Sequence, residues 1–393
     1  MSELYFDVET TTRNKGHPFT PSNRLISYVT LDDSSVAFKY YRDPDFLDSF
    51  RQLLEKADVV VGFNIKFDLH WASNAKIFLH VRQRVWDCQL AEFVISGQQN
   101  GFMSLNEALA SYNLPIKPDQ VAEYWKAGID TADIPVPILE EYNKYDVTSL
   151  KELKRLQMAV MSPEQIQLVW TMGDDLKAIQ HAEYAGIKFD VNGAQRVIDE
   201  YSASIRQYEN SLMEFVDVPD YVNFNFDSGD HLSALLYGGT VSFPYAIESE
   251  ATYKTGPFKG QTYTKRRWQT YTKDFEQRFK PLENTALKKC TAPGYSGTFF
   301  FQTDSPTLKQ LKTRKAENRK ILAVLQERSE KIKVVEMVQS ILNKMKEMEW
   351  ENDYIHGQFN QNIVITGRLS SSGPNLQNTP PDVDALIVSR YDD

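Results

Sequence analysis

A chain of 393 residues exceeds one ordinary domain, and 41% hydrophobic with 25% charged residues is enough apolar material for two or three packed cores. No run approaches the ~18 consecutive apolar residues of a membrane span, and Met1-Ser2-Glu3-Leu4 leads into strand-like sequence with no basic leader. The net charge of −9 speaks against a nucleic-acid coat, yet residues 251–350 hold 21 Lys and Arg against 10 Asp and Glu, a local +11 that leaves −20 for the rest.

In chain order, residues 3–10, 25–31 and 35–41 read as strands, and 45–57 as a helix. The apolar run Asp58-Val-Val-Val-Gly-Phe-Asn64 has the character of a buried strand. Helical patterns follow at 65–76, 88–96, 104–112 and 136–158, so an α/β domain is expected over 1–155. Cys88 and Cys290 fit no metal-ligand pattern and read as reduced thiols, which predicts a cytoplasmic protein.

Ser162-Pro163-Glu164 is a helix start, with Pro at the first helical position, and the helix should end at Gly186. Ile187–Phe189 look extended, and Asp190 is placed to cap a helix at about 192–215. From 156 to 239 the chain is therefore mainly helical. Residues 240–304 change character, being rich in Tyr, Thr, Lys, Gly and Pro, and read as an insertion of short strands and loops. Basic helices are expected over 305–350, and two short strands within 354–365 open a last segment, 351–393.

Three short motifs carry chemistry. Asp7 and Glu9 are two apart on a strand and share a face. Asn64-Ile-Lys-Phe-Asp68 puts Asp68 at a strand-to-helix junction, and Tyr142-Asn-Lys-Tyr-Asp146 puts its two end residues on one side of a helix. Singly, each has a plain structural reading: a solvent-facing strand, a helix cap, a chance spacing. Together, in this order, they suggest one site. Two carboxylates ~4 Å apart repel by about 4 kcal/mol at an effective dielectric of ~20. Four would need cations, and hard divalent ions such as Mg²⁺ or Mn²⁺ suit oxygen ligands. A basic segment in an acidic chain is also the charge pattern of a DNA-handling enzyme with a carboxylate metal site.

At these residues the chain resembles the DEDD-type proofreading exonucleases, tyrosine subclass, whose pattern runs Asp-x-Glu, Asn-x-x-Phe/Tyr-Asp, Tyr-x-x-x-Asp. The resemblance implies an RNase H-like fold and 3′–5′ exonuclease activity on DNA. It also implies two ions of Mg²⁺ (or Mn²⁺) held by Asp7, Glu9, Asp68 and Asp146, with Tyr142 orienting the nucleophile. Asn64 and Asp87 would support the site and Thr10 would touch the terminal nucleotide, while Phe67 reads as a packing residue.

The string Thr366-Gly-Arg-Leu-Ser-Ser-Ser-Gly-Pro-Asn-Leu-Gln-Asn-Thr-Pro380 closely resembles a segment of the family A DNA polymerases, with Thr379 in place of the usual Ile. There it lies in the palm along the primer–template minor groove. Carried over, Arg368 would reach the primer end, and Asn375, Gln377 and Asn378 would contact groove or backbone. The acceptor pattern of that groove is nearly the same for every base pair, which suits polar side chains that check shape. Ala182–Asp190 and Asp227–Tyr237 resemble the start of the same family's thumb, making 156–239 and 305–350 thumb and 240–304 a phage-type insertion. Within it, Lys265, Arg266, Arg267 and Lys273 interleave with Tyr263, Trp268 and Tyr271, a pattern that fits DNA and a docked processivity factor equally.

The resemblance departs where the family places its first acidic polymerase strand. Asp392 and Asp393 stand there without a following strand. The expectation is a partial palm that does not polymerise alone and is completed by a second polypeptide carrying fingers and the rest of the palm. A natural split is favoured over a truncated product, because a half-palm would expose an unpaired sheet edge. The rival readings are a non-catalytic DNA-binding or assembly subunit of a replisome, and an RNA-trimming exonuclease of the same fold.

Overall fold

The computed structural model describes residues 1–33, 35–116, 120–289 and 299–391. Cys290, Asp392 and Asp393 lie outside the described residues. The chain divides into two compact units, Met1–Ala194 with Val338–Asp393, and Gln195–Met337.

The first unit is built on a five-stranded sheet. Its strands are β1 (Glu3–Thr10), β2 (Leu25–Leu31), β3 (Val36–Tyr40), β4 (Val59–Gly62) and β5 (Arg84–Asp87), in the order β3-β2-β1-β4-β5. β1, β2 and β3 pair antiparallel, whereas β4 runs parallel to both β1 and β5. Around the sheet lie α1 (Phe46–Lys56), α2 (Lys66–Asn74), α3 (Cys88–Ile95), α4 (Leu105–Ser111), α5 (Gln120–Lys126), α6 (Val136–Val160) and α7 (Pro163–Ala185). This is the RNase H-like α/β arrangement expected from the motifs.

Central β1 is covered on both faces. Leu4, Phe6 and Val8 pack with Phe50, Leu54 and Leu69 of α1 and α2. Tyr5 packs on the other face with Val147 and Leu150 of α6. Alternation sends Asp7 and Glu9 to that second face, toward α6. Ser162 and Gln165 close a capping box at the start of α7, and Gly186 at φ 68 ends it. A two-residue β6 (Ile187–Lys188) follows, then α8 (Val191–Met213), with the Asp190 Oδ1 accepting the Gly193 N–H at 2.7 Å.

The second unit holds α9 (Gly229–Tyr237), β7 (Gly239–Thr252), β8 (Thr262–Phe275), β9 (Leu287–Lys289), β10 (Phe299–Phe301) and α10 (Ser305–Gln310). Most of α11 (Ala316–Met348) also belongs to it. Its core gathers Leu212, Phe224, Leu235, Phe243 and Ile321. Buried Arg328 joins Glu209 at 2.6 Å and Asp227 at 2.7 Å.

The region expected to contain short strands and loops holds the short pair β9–β10, but its first part forms a hairpin of two 14-residue strands, paired from Gly239 opposite Phe275 to Thr252 opposite Thr262. Only its base is buried, at Val241 and Phe243. The outer part therefore lacks the apolar alternation by which a strand announces itself, and its Tyr and Thr content is the remaining β signal.

The last segment, in the first unit, pairs β11 (Tyr354–Ile355) with β6 and β12 (Gln358–Asn360) with β13 (Ser370–Ser372), before α12 (Pro381–Asp384).

Candidate active site

Three elements deliver four acids. Carboxylate oxygens of Asp7 and Glu9 on β1 and of Asp146 on α6 lie within 4.8 Å of one another. Asp7 and Glu9 are half-buried and Asp146 is buried. Asp68, in the first turn of α2, is 3% exposed, and its Oδ1 accepts the Val8 N–H at 3.0 Å. Burial, and then the negative charge of Asp7, push its carboxyl well above the ordinary range, with Glu9 adding to this against the Val8 hydrogen bond. Asp68 thus feels both β1 acids, and all four belong to one electrostatic cluster.

A β-bulge shapes the β1 end of the site. Pairing runs Glu9 to Ser27 and then Thr10 to Leu25, so Ile26 is extra. Ser27 also fixes α6, because the Asn143 amide donates to its Oγ at 3.0 Å with both residues fully buried. The residue opposite Glu9 therefore anchors the helix turn that carries Tyr142 and Asp146. Further along α6, Lys154 holds Glu3 at 2.5 Å and Gln157 donates to the Cys88 carbonyl at 2.8 Å. Tyr142 is half-buried, edge-on to Trp125 at 6.1 Å between ring centroids.

The β4–α2 turn is set by Asn64 at φ 53. Asp87, at the end of β5, clamps it, accepting the backbone N–H groups of Asn64 at 2.9 Å, Ile65 at 3.1 Å and Gln89 at 2.8 Å. Burial pushes the Asp87 carboxyl up to about 6 despite these bonds, which pull it down. Exposed Asn64 and half-buried Phe67 line a cleft of about 210 Å³, together with Gln89 and Asn360. Phe67 also packs against the core, as its packing reading requires. Thr10 is 8% exposed, its Oγ1 donates to the Thr11 carbonyl at 3.1 Å, and Gly16 presses against it so closely that a Cβ there would come within 2.2 Å.

The polymerase-like segment is open. Arg368, Asn375, Gln377 and Asn378 are all exposed on the loop around β13. Asn375 Oδ1 accepts the Gln377 N–H at 3.0 Å, and Ser371 Oγ accepts the Leu376 N–H at 3.0 Å. The basic trio is on β8, where alternation puts Lys265 and Arg267 on one face and Arg266 on the other, paired with Glu248 at 2.7 Å.

Three contributors escaped the sequence reading: Ser27, Asn143 and Glu183. Glu183 on α7 is fully buried and receives Lys66 Nζ at 2.7 Å, His70 Nε2 at 2.7 Å and the Phe359 N–H at 2.6 Å. Burial raises its pKa, but His70 and Lys66 outweigh that and hold it below the ordinary range. A single Glu within a helical pattern looks like any surface acid, so no local signal marks it.

An all-oxygen donor set with three carboxylates in mutual reach is the chemistry of a hard divalent cation site. Fold and acid cluster together define an RNase H-like nuclease domain. Comparison with known families agrees: residues 1–203 match the 3′-5′ exonuclease model and residues 273–390 match DNA polymerase family A. The chain belongs to the 3′–5′ exonuclease family and carries a partial family A DNA polymerase region after it. DNA polymerase I of Bacillus subtilis (strain 168) is 24% identical over 300 residues, 75% of this chain and 27% of that protein. Among solved structures, the POL domain of Pol1 from M. smegmatis, in complex with DNA primer-template and dNTP, superposes with a TM-score of 0.63 at 15% identity. That match covers 99% of this chain and 55% of the other. The chain thus spans about a quarter of the one relative and about half of the other. Among the described residues no helix is long and apolar enough to cross a membrane.

Proposed function

We propose that this chain shortens DNA strands from the 3′ end by metal-dependent phosphodiester hydrolysis, as a proofreading exonuclease of the tyrosine subclass. The observation that carries this is the convergence of Asp7, Glu9 and Asp146, with Asp68 beside them. In this reading the four acids hold two Mg²⁺ or Mn²⁺ ions. Bound there, such ions supply water of lowered pKa and charge stabilisation at the leaving oxygen. Tyr142 orients the attacking water by hydrogen bonding and is not its base. Asn64, which sets the turn into α2, supports the site in this reading, and Thr10, at the bulge beside Glu9, is the contact for the terminal nucleotide.

Residues 1–155 are the exonuclease domain in this reading, 156–239 and 305–350 the thumb, 240–304 its phage-type insertion and 351–393 a partial palm. Exposed Arg368, Asn375, Gln377 and Asn378 are then the primer–template contacts. Among the described residues the only set of three candidate metal ligands is the exonuclease set. In this reading a second polypeptide carries the fingers and the rest of the palm.

The test is digestion of a 5′-labelled single strand by the purified chain with Mg²⁺. A ladder shortened from the 3′ end is expected, abolished by chelation and by Asp7→Ala with Glu9→Ala. Full activity in that double variant overturns the site. Normal DNA affinity with no metal binding would turn the reading to a replisome assembly module.

A further inference from the structure

The β7–β8 hairpin leaves the core of its unit after Phe243 and continues as a two-stranded ribbon with both faces open. Its register separates the charges. One face carries the pairs Ala246–Trp268, Glu248–Arg266 and Glu250–Thr264, so its cation is matched by acids. The other carries Tyr245–Gln269, Ile247–Arg267, Ser249–Lys265 and Ala251–Tyr263 and no acid. Lys265 and Arg267 are exposed, and among the described residues neither has an ion-pair partner. Rings flank them at both ends. Tyr263 packs against Tyr253 at 4.4 Å between centroids, and Tyr245 against Tyr221 at 4.7 Å, with Tyr221 56% exposed.

We propose that this face of the ribbon, with Lys265 and Arg267 between the Tyr263 and Tyr245 rings, binds single-stranded nucleic acid. Two unmatched cations ~7 Å apart on one strand face are complementary to a phosphate backbone. Exposed Tyr263 and half-buried Tyr245 on the same face give bases a surface to stack on. A duplex hides its bases, so the rings select the single strand. The ribbon deepens the DNA-handling function proposed above by naming the strand form it holds and the face that holds it. Arg266, adjacent in sequence, takes no part.

The test is binding of a circular oligo-dT to the full chain in chelator, followed by fluorescence anisotropy across a salt series. A circle has no 3′ end and the chelator silences hydrolysis, so a failed nuclease assignment does not affect the result. Lys265→Ala with Arg267→Ala should weaken binding about tenfold and flatten the log–log salt slope by about 1.4. Tyr263→Ala should weaken it about fivefold while leaving a hairpin-capped duplex unaffected. Arg266→Ala, the same charge change on the opposite face, should change it less than twofold. An Arg266→Ala loss matching that of the Lys265/Arg267 pair overturns the face assignment. Unchanged affinity in all three variants overturns the proposal and leaves the face to a protein partner.

Discussion

The carboxylate site and the Thr366–Pro380 segment are opposites. The four acids are scattered over β1, α2 and α6, yet they end in one partly buried cluster. The polymerase-like segment is continuous in sequence, yet its polar side chains stay exposed on a loop and gather into no enclosed site. A buried site is made by packing and can be assembled from any parts of the chain. A surface that follows a groove needs only a local run with its side chains outward. Glu183 joins the two regions, because it holds Lys66 of α2 and the backbone of Phe359 on β12 at once.

The largest effect should come from the acid cluster. Asp146→Asn should lower exonuclease turnover by more than ~10³-fold, with little change in thermal stability. A loss under tenfold would detach Asp146 from the chemistry. Cutting the link comes next: Glu183→Ala removes the charged acceptor of half-buried Lys66 and of buried His70 and should cost about 2–3 kcal/mol, read from the urea midpoint. A neutral result would make the two regions independent.

The Asp87 clamp adds a pH test. Its folded-state pKa is raised to about 6 by burial, so the folded protein binds the proton more tightly than the unfolded chain. That contribution is complete below the usual carboxylate range and is lost as pH rises through about 6. The stability of the natural protein relative to Asp87→Asn should therefore fall by roughly 2–3 kcal/mol between pH 4 and 7. A flat difference would show that Asp87 is charged throughout. The smallest effect belongs to the open segment. Arg368→Ala should weaken primer–template binding less than ~10-fold, lower its salt slope by about 0.9 and leave single-strand digestion unchanged.

Much of this molecule was legible before folding. Strands at 3–10 and 25–31 match β1 and β2, and the helix expected at 136–158 is α6 with two further residues. Long amphipathic or alternating runs report their own burial, and Ser162-Pro163 and Gly186 mark boundaries through local backbone chemistry. β5 went unseen because four residues, Arg-Val-Trp-Asp, are too few to show a period. The hairpin went unseen because its outer half is buried on neither face.

Sequence alone determined the acids, their order and their element types, because motif spacing on a strand or helix is a local property. It also determined the polymerase-like string, whose meaning lies in contiguous residues. Tertiary structure alone decided that Ser27 anchors Asn143 opposite Glu9, that Asp87 clamps the turn before Asp68, and that Glu183 joins α2 to β12. It also set Lys265 and Arg267 apart from Arg266, since strand register assigns each side chain its face. Such contacts depend on the distance between elements, and only packing of the apolar core sets that distance.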